Sequence, residues 1–382
     1  MEKGVLSGVD RLETVASVLR QGRVGLMTNA TGISRDFRST IEILHQQFDL
    51  TALFAVEHGI RGNIQAGEAI GVYQDEATGL NVWPVYGGNH RLTPEMLEQF
   101  DIFCFDIQDV GARFYTYLYA LSFAMEECAK AGKPVVVLDR INPLGGELIQ
   151  GTVLDPAFAS YVGMYPLPTR YGLTIGEYAR WVKKHLRLDS LELHIAPLAG
   201  WRRGMMPWEA ALPWVAPSPN CPSFHSAFAY IGSCIFEGTN VSEGRGTTLP
   251  FEYIGAPWID GDRLARRMGE KETTGIHFRP AWFTPTFSKH AGQLCAGVQM
   301  HVLNPESADP VAAALMLLDG IRELYPEKLE WVSWTTESYT IDKLLGTDQY
   351  RRGTMDAARF LDRFAEGRER FRRQREPFLL YE

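Results

Sequence analysis

The sequence predicts an α/β protein: a mostly parallel sheet with helices on both of its faces, followed by a smaller C-terminal α/β domain. Two observations carry the prediction. Four short apolar runs recur within the first 140 residues and alternate with helical patterns, the arrangement that produces βαβ units. The chain is also 382 residues long, beyond the roughly 250–300 residues at which single cores usually divide. The expected division is 1–212 and 213–382.

The runs are "RVGLMTNA", "LTALFAVEHG", "DIFCFDIQD" and "KPVVVLDR". Each is too short for a core helix and ends in polar residues, so each reads as a strand buried on both sides. Between them, "STIEILHQQF" offers Ser39 or Thr40 as an N-cap, and "LTPEMLEQF" places Pro94 just after the N-cap candidate Thr93. "ARFYTYLYALSFAMEECAKAG" continues for several turns and stops at Gly132. "LELHIAPLAGW" reads as a further strand, and the Pro- and Trp-rich stretch from Trp201 to Phe224 as a linker or crossover. Beyond it, "AGVQMHVL" predicts a strand, "DPVAAALMLLDGIREL" a helix, and "TMDAARFLDRFAEGRERFRRQRE" one terminal charged helix.

Composition narrows the function. The chain is 45% hydrophobic and 22% charged with a net charge of −8, which argues against a broad nucleic-acid footprint. No apolar run is long enough to cross a membrane, and the N-terminus lacks the apolar core of a signal peptide. The expectation is a soluble, cytoplasmic protein. The five cysteines never fall at C-x-x-C spacing and read as buried free thiols. The dinucleotide, P-loop, zinc-protease and α/β-hydrolase motifs are all absent, so neither a cofactor nor a metal is expected.

Parallel sheets bind ligands beyond the carboxyl ends of their strands. That rule gathers Asn29, Glu57, the stretch Asp106 to Asp109 with Gln108, and Asp139 along one edge. Glu57 and His58 close the second run. A carboxylate at the end of a buried strand loses solvation, which favours its protonated form and suits a general acid. Two glycine-punctuated segments are dense in polar groups. One carries Arg113, Tyr115 and Tyr117, with the plain alternative that Asp109 is an N-cap paired with Arg113. The other carries Glu237, Asn240, Ser242, Glu243 and Arg245, with a charged surface loop as the alternative. Glu57, His58, Asp106, Asp109 and Asp139 also have the chemistry of an oxygen-rich metal site, so a metal-dependent hydrolase stays open, as does a protein that only binds its ligand.

The ordered stretches "GVDRL", "RVGLMTNATG", "LFAVEHGIRG", "AGE", "VYGGNHRLTPEML", "FDIQDVGARFYTYLYAL", "VVVLDRINPLGG", "YGLTIGEYA", "WVAPSPNCP", "IFEGTNVSEGRGTTLPFEYIGAPW", "FTPTFSKHAGQLCAGVQ" and "LYPE" resemble the exo-β-N-acetylmuramidases, a bacterial family long catalogued as a domain of unknown function. The likeness runs from Gly8 to about Glu327. It implies a Rossmann-like N-terminal domain, a smaller α/β domain and an active site in the cleft between them. It further implies hydrolysis of a terminal β-linked N-acetylmuramic acid from the non-reducing end of peptidoglycan fragments, so the expected partner is a sugar or muropeptide.

The family's "PEHG" appears as "VEHG" and its "LDRPNP" as "LDRINP". The resemblance therefore carries a catalytic role to Glu57 with His58 beside it, and site roles to Asp139, Arg140 and Asn142. On this reading Glu243 is the second carboxylate and Glu237 its reserve. Attack by the substrate's own acetamido group, oriented by Asp106 or Asp109, is the other route. Arg61, Arg113 and Arg245 are candidates for gripping the lactyl carboxylate, since a guanidinium binds carboxylates in a fork. Tyr115, Tyr117 and Trp258 are candidates for stacking on sugar faces.

Overall fold

The computed structural model describes residues 4–62, 71–85, 90–334, 338–353 and 355–382. The "AGE" stretch and residues 86–89 of "VYGGNH" lie outside them. Strands in chain order are β1 (Val24–Thr28), β2 (Leu50–Ala55), β3 (Tyr73–Gln74), β4 (Asn81–Pro84), β5 (Ile102–Asp106), β6 (Val135–Leu138), β7 (Gln150–Val153), β8 (Pro168–Arg170), β9 (Leu193–Ala196), β10 (Tyr253–Ala256), β11 (Ile276–Phe283) and β12 (Cys295–Val302). Seven form the central sheet in the order β3-β4-β2-β1-β5-β6-β9. Every pair is parallel except β3 with β4. The four apolar runs are β1, β2, β5 and β6.

Side-chain alternation along these strands builds two apolar layers. The row Leu53, Leu26, Cys104 and Val136 crosses the sheet on one face, and Phe54, Met27, Phe105 and Val137 cross it on the other. The first row packs beneath Leu12 and Leu19 near the N-terminus and beneath Ile41 and Leu44. The second belongs to a core that continues without a break through Tyr178 and Trp181 into Phe228, Ile231 and Leu315 of the C-terminal half.

The capping residues act as their types predict. Ser39 accepts from the Ile41 N–H at the start of the helix Thr40–Gln47, and Thr93 accepts from Met96 N–H ahead of Pro94. Gly132 ends the helix Tyr117–Ala131 at φ 65°, a left-handed conformation that costs glycine little. That helix starts at Tyr117, so Arg113 and Tyr115 lie in the loop before it.

The C-terminal half holds a three-stranded antiparallel sheet, β10-β12-β11, packed against the helices Phe224–Ser233 and Gly261–Gly269, on which the helix Pro310–Leu324 packs in turn. The single terminal helix expected from the sequence is two, Ala357–Asp362 and Ala365–Arg375. Their aromatic anchors explain the break: Phe360 packs on Tyr350 in the C-terminal half, whereas Phe371 packs on Trp181 of the N-terminal half. One straight helix does not serve both surfaces. The chain then ends against the first half, where the Tyr381 hydroxyl donates to Asp139 at 2.5 Å and the Glu382 carbonyl accepts from Arg203 N–H. All five cysteines are buried and free. Among the described residues no helix is long and apolar enough to cross a membrane.

Candidate active site

A cleft of about 640 Å³ opens between the two halves. Glu57, His58, Tyr115, Tyr117 and Tyr161 line it from the N-terminal side, and Glu237, Glu243, Arg245 and Lys289 face them from the C-terminal side.

Glu57 arrives there because β2 is buried from Ala52 to its end at Ala55, with Val56 still inside the core. The next residue is the first free to meet solvent at the sheet's carboxyl edge. The chain then turns sharply, the Gly59 N–H donating to Val56 O, with His58 held at φ 75°. A non-glycine residue in this region is strained, and such strain concentrates at functional sites. Burial holds the His90 imidazole below its usual value, partly offset by the Glu57 carboxylate. The Tyr161 ring stacks on His90 with centroids 3.8 Å apart.

The opposite wall is a charge cluster on the 3-10 turn Cys234–Gly238 and the loop after it. Arg245 donates to Glu237 at 2.6 Å and approaches Glu243 at 3.4 Å. Lys289 donates to Glu243 at 2.8 Å and to the carbonyls of Phe236 and Val241. Burial pushes Glu237 above the usual carboxylate range; Arg245 opposes that shift and Glu243 adds to it. Burial alone lowers Arg245, but Glu237 and Glu243 outweigh it and hold the guanidinium above its ordinary value.

The glycines of this loop permit a close approach of the chain to itself. A Cβ at Gly244 would meet Tyr253 O at 2.7 Å, and one at Gly246 would meet Phe287 O at 2.5 Å.

Of the residues singled out from sequence, Glu57, His58, Tyr115, Tyr117, Glu237, Glu243 and Arg245 meet in this cleft. The others stand near the sheet edge or the loop but are engaged elsewhere. Asp106 is fully buried, gripped by Arg140 Nε at 2.5 Å and by the Thr40 hydroxyl. Asp139 accepts from Thr174, Gly176 N–H and Tyr381. Asp109 accepts from Tyr171 and Gly111 N–H, so it is not paired with Arg113.

Arg113 is itself buried and donates to the carbonyls of Thr152, Leu167 and Leu344, which removes it as a lactyl anchor. Arg61 is half-exposed and pairs with Asp75 at 2.5 Å. Asn29 accepts from Thr31, and Asn142 donates to Leu173 O. Gln108 borders a separate crevice of about 30 Å³. Asn240 ties the loop to Lys328 and Glu330, and Ser242 braces Gly244 N–H. Trp258 packs on Tyr325. Common to these corrections is that buried charges require partners, and loops folded over the sheet edge supply them.

The oxygen-rich metal set is dispersed by the same pairings, and among the described residues no three His, Cys, Asp or Glu side chains come together to hold an ion. Sequence reasoning passed over Lys289, Asn220 and Tyr230 as site residues. The first two sit in the quoted stretches "FSKHAG" and "PSPNCP", which lack the periodicity that assigns a residue to a face. The segment expected to be a linker or crossover supplies Ser218 and Asn220 to the cleft.

Residues 24–225 match the family described as "Exo-beta-N-acetylmuramidase NamZ, N-terminal", and residues 228–381 its C-terminal counterpart. The chain is 43% identical to "Peptidoglycan beta-N-acetylmuramidase NamZ" of Bacillus subtilis (strain 168), over 99% of this chain and 91% of that protein. A crystal structure of a DUF1343 family protein from Bacteroides fragilis superposes with a TM-score of 0.90 at 33% identity, covering 99% of each chain. A second DUF1343 protein from that organism gives 0.77 at 29% identity, covering 100% of this chain and 99% of its own.

Proposed function

The chain belongs to the exo-β-N-acetylmuramidase family, and from that premise we propose that its cleft hydrolyses the terminal β-linked N-acetylmuramic acid from the non-reducing end of peptidoglycan fragments. The observation that carries the chemistry is the meeting of Glu57, on a strand end of one half, with the Glu237 and Glu243 carboxylates of the other half across a single cavity. Glycoside hydrolysis commonly uses two carboxyl groups flanking the scissile bond.

Glu57 is the general acid that protonates the departing glycosidic oxygen, with His58 fixing its orientation. Glu243 is the second carboxylate, positioned by Lys289 and Arg245. Glu237, raised by burial, is its alternative. Of the three arginines considered for the lactyl carboxylate, Arg245 is the one in the cleft. Its Nη2 and Nε face Glu237 and Glu243, leaving Nη1 for the substrate.

Incubation with a muramic acid disaccharide and identification of the products tests the reading. Release of free N-acetylmuramic acid is expected. Binding without cleavage would make this a muropeptide-binding protein instead.

A further inference from the structure

The proposed glycosidase reading accounts for the charged walls of the cleft but not for two polar groups among its aromatic residues. Tyr115 is 8% exposed and lines the cleft, yet its hydroxyl makes no hydrogen bond of normal geometry; Ser218 and the Tyr117 side chain lie beside it. Asn220 is 7% exposed, lines the same cleft, and its carboxamide bonds to none of the described residues. Buried polar groups are nearly always satisfied, and leaving one unmade is costly. The buried Tyr115 hydroxyl and the Asn220 carboxamide, which reaches the surface of the same cavity, together mark a place for a ligand.

Their surroundings define what that ligand group is. Tyr115 meets Tyr117 edge-on with centroids 4.8 Å apart and Tyr230 at 5.7 Å; Tyr230 in turn meets Phe251 at 4.7 Å. All four rings line the cleft. The site thus combines the Tyr115 hydroxyl, one carboxamide and a wall of aromatic ring faces. Burial keeps the Tyr115 hydroxyl protonated by raising it well above its ordinary value, so it donates. An acetamide group presents the complement: a carbonyl oxygen, an N–H and a methyl. A sugar hydroxyl has no methyl for the aromatic wall, and a carboxylate has no N–H for the Asn220 oxygen.

We propose that Tyr115 and Asn220 form the pocket that recognises the 2-acetamido group of the sugar, the hydroxyl donating to its carbonyl, the Asn220 oxygen accepting from its N–H, and Tyr230 contacting its methyl. This rests on the glycosidase reading and gives that reading its specificity for N-acetylated sugars. It also moves the acetamide from Asp106 and Asp109, which are engaged away from the cleft.

The test compares a chromogenic β-N-acetylmuramide with its 2-hydroxy counterpart. Tyr115→Phe and Asn220→Ala are each expected to lower kcat/KM on the acetamido sugar about tenfold to a hundredfold and to reduce its advantage over the 2-hydroxy sugar by a similar factor. Calorimetric affinity for free N-acetylmuramic acid against muramic acid, whose amine carries no acetyl group, reads the same contrast whether or not turnover is seen. The preference for the acetylated sugar is expected to shrink in both variants while melting temperatures stay near that of the unaltered protein. Equal losses on both sugars, or an unchanged preference in both variants, would overturn the proposal. Release of N-acetylmuramic acid by the unaltered protein tests the glycosidase reading separately.

Discussion

Two clusters of carboxylates and cationic side chains differ in what surrounds them. At the ends of β5 and β6, Asp106 and Arg140 close on one another, with Thr40 and the Ile33 carbonyl taking further bonds. Across the cleft, Glu237, Glu243, Arg245 and Lys289 are also paired, but all four border a cavity of about 640 Å³. The first cluster holds loops over the sheet edge. The second holds charge where a substrate can reach it. Charge density therefore does not distinguish structure from site; access to a shared cavity does.

The largest effect expected from that contrast is at Glu57. Glu57→Gln should lower turnover of a chromogenic β-N-acetylmuramide by about 10²–10⁴-fold with little change in melting temperature. A near-normal rate would remove Glu57 from the chemistry.

Asp106→Ala is expected to do the opposite. Leaving Arg140 buried and unpaired should reduce stability by about 3–5 kcal/mol in urea denaturation, while the rate per folded molecule is largely kept. Loss of rate without loss of stability would erase the distinction between the clusters.

Asp109 sharpens the comparison through pH. Burial raises its carboxyl to about 6, opposed by the Tyr171 hydrogen bond. The folded protein therefore holds a proton that the unfolded chain has already released near pH 4. This contribution to stability is full below pH 4 and is lost as pH rises through about 6, up to ~3 kcal/mol in all. Asp109→Asn should flatten that part of a stability-against-pH curve.

The smallest effect expected is at Arg245. Arg245→Lys keeps a positive charge but loses the planar fork, so discrimination between N-acetylmuramides and N-acetylglucosaminides should fall about tenfold in competing-substrate assays. Unchanged discrimination would free Arg245 from the lactyl role.

Much of this architecture is legible locally. Ser39, Thr93 and Gly132 act through neighbours within a turn, and β1, β2, β5 and β6 announce themselves by unbroken apolar runs. The break in the terminal helix is not legible locally because Phe371 is anchored on Trp181, which lies far from it in sequence. The site was legible in part. Glu57 and His58 follow from the end of a buried strand, whereas Asp106, Asp139 and Arg113 share their polarity but not their destination. Lys289 and Asn220 lie in stretches without periodicity, and their place in the cleft depends on how the two halves pack.

By itself the sequence determined the strands β1, β2, β5, β6, β9 and β12, several helix caps and the sheet edge at which polar residues gather, because these depend on alternation and hydrogen bonding over a few residues. Only the tertiary structure decided which of those polar residues face each other and which face the cavity. Asp106 meets Arg140 across 34 residues, Glu243 meets Lys289 across 46, and the Arg113 guanidinium reaches Leu344 across 231. A buried charge is placed by the partner that offsets its lost hydration, and in this chain that partner is supplied from far along the sequence.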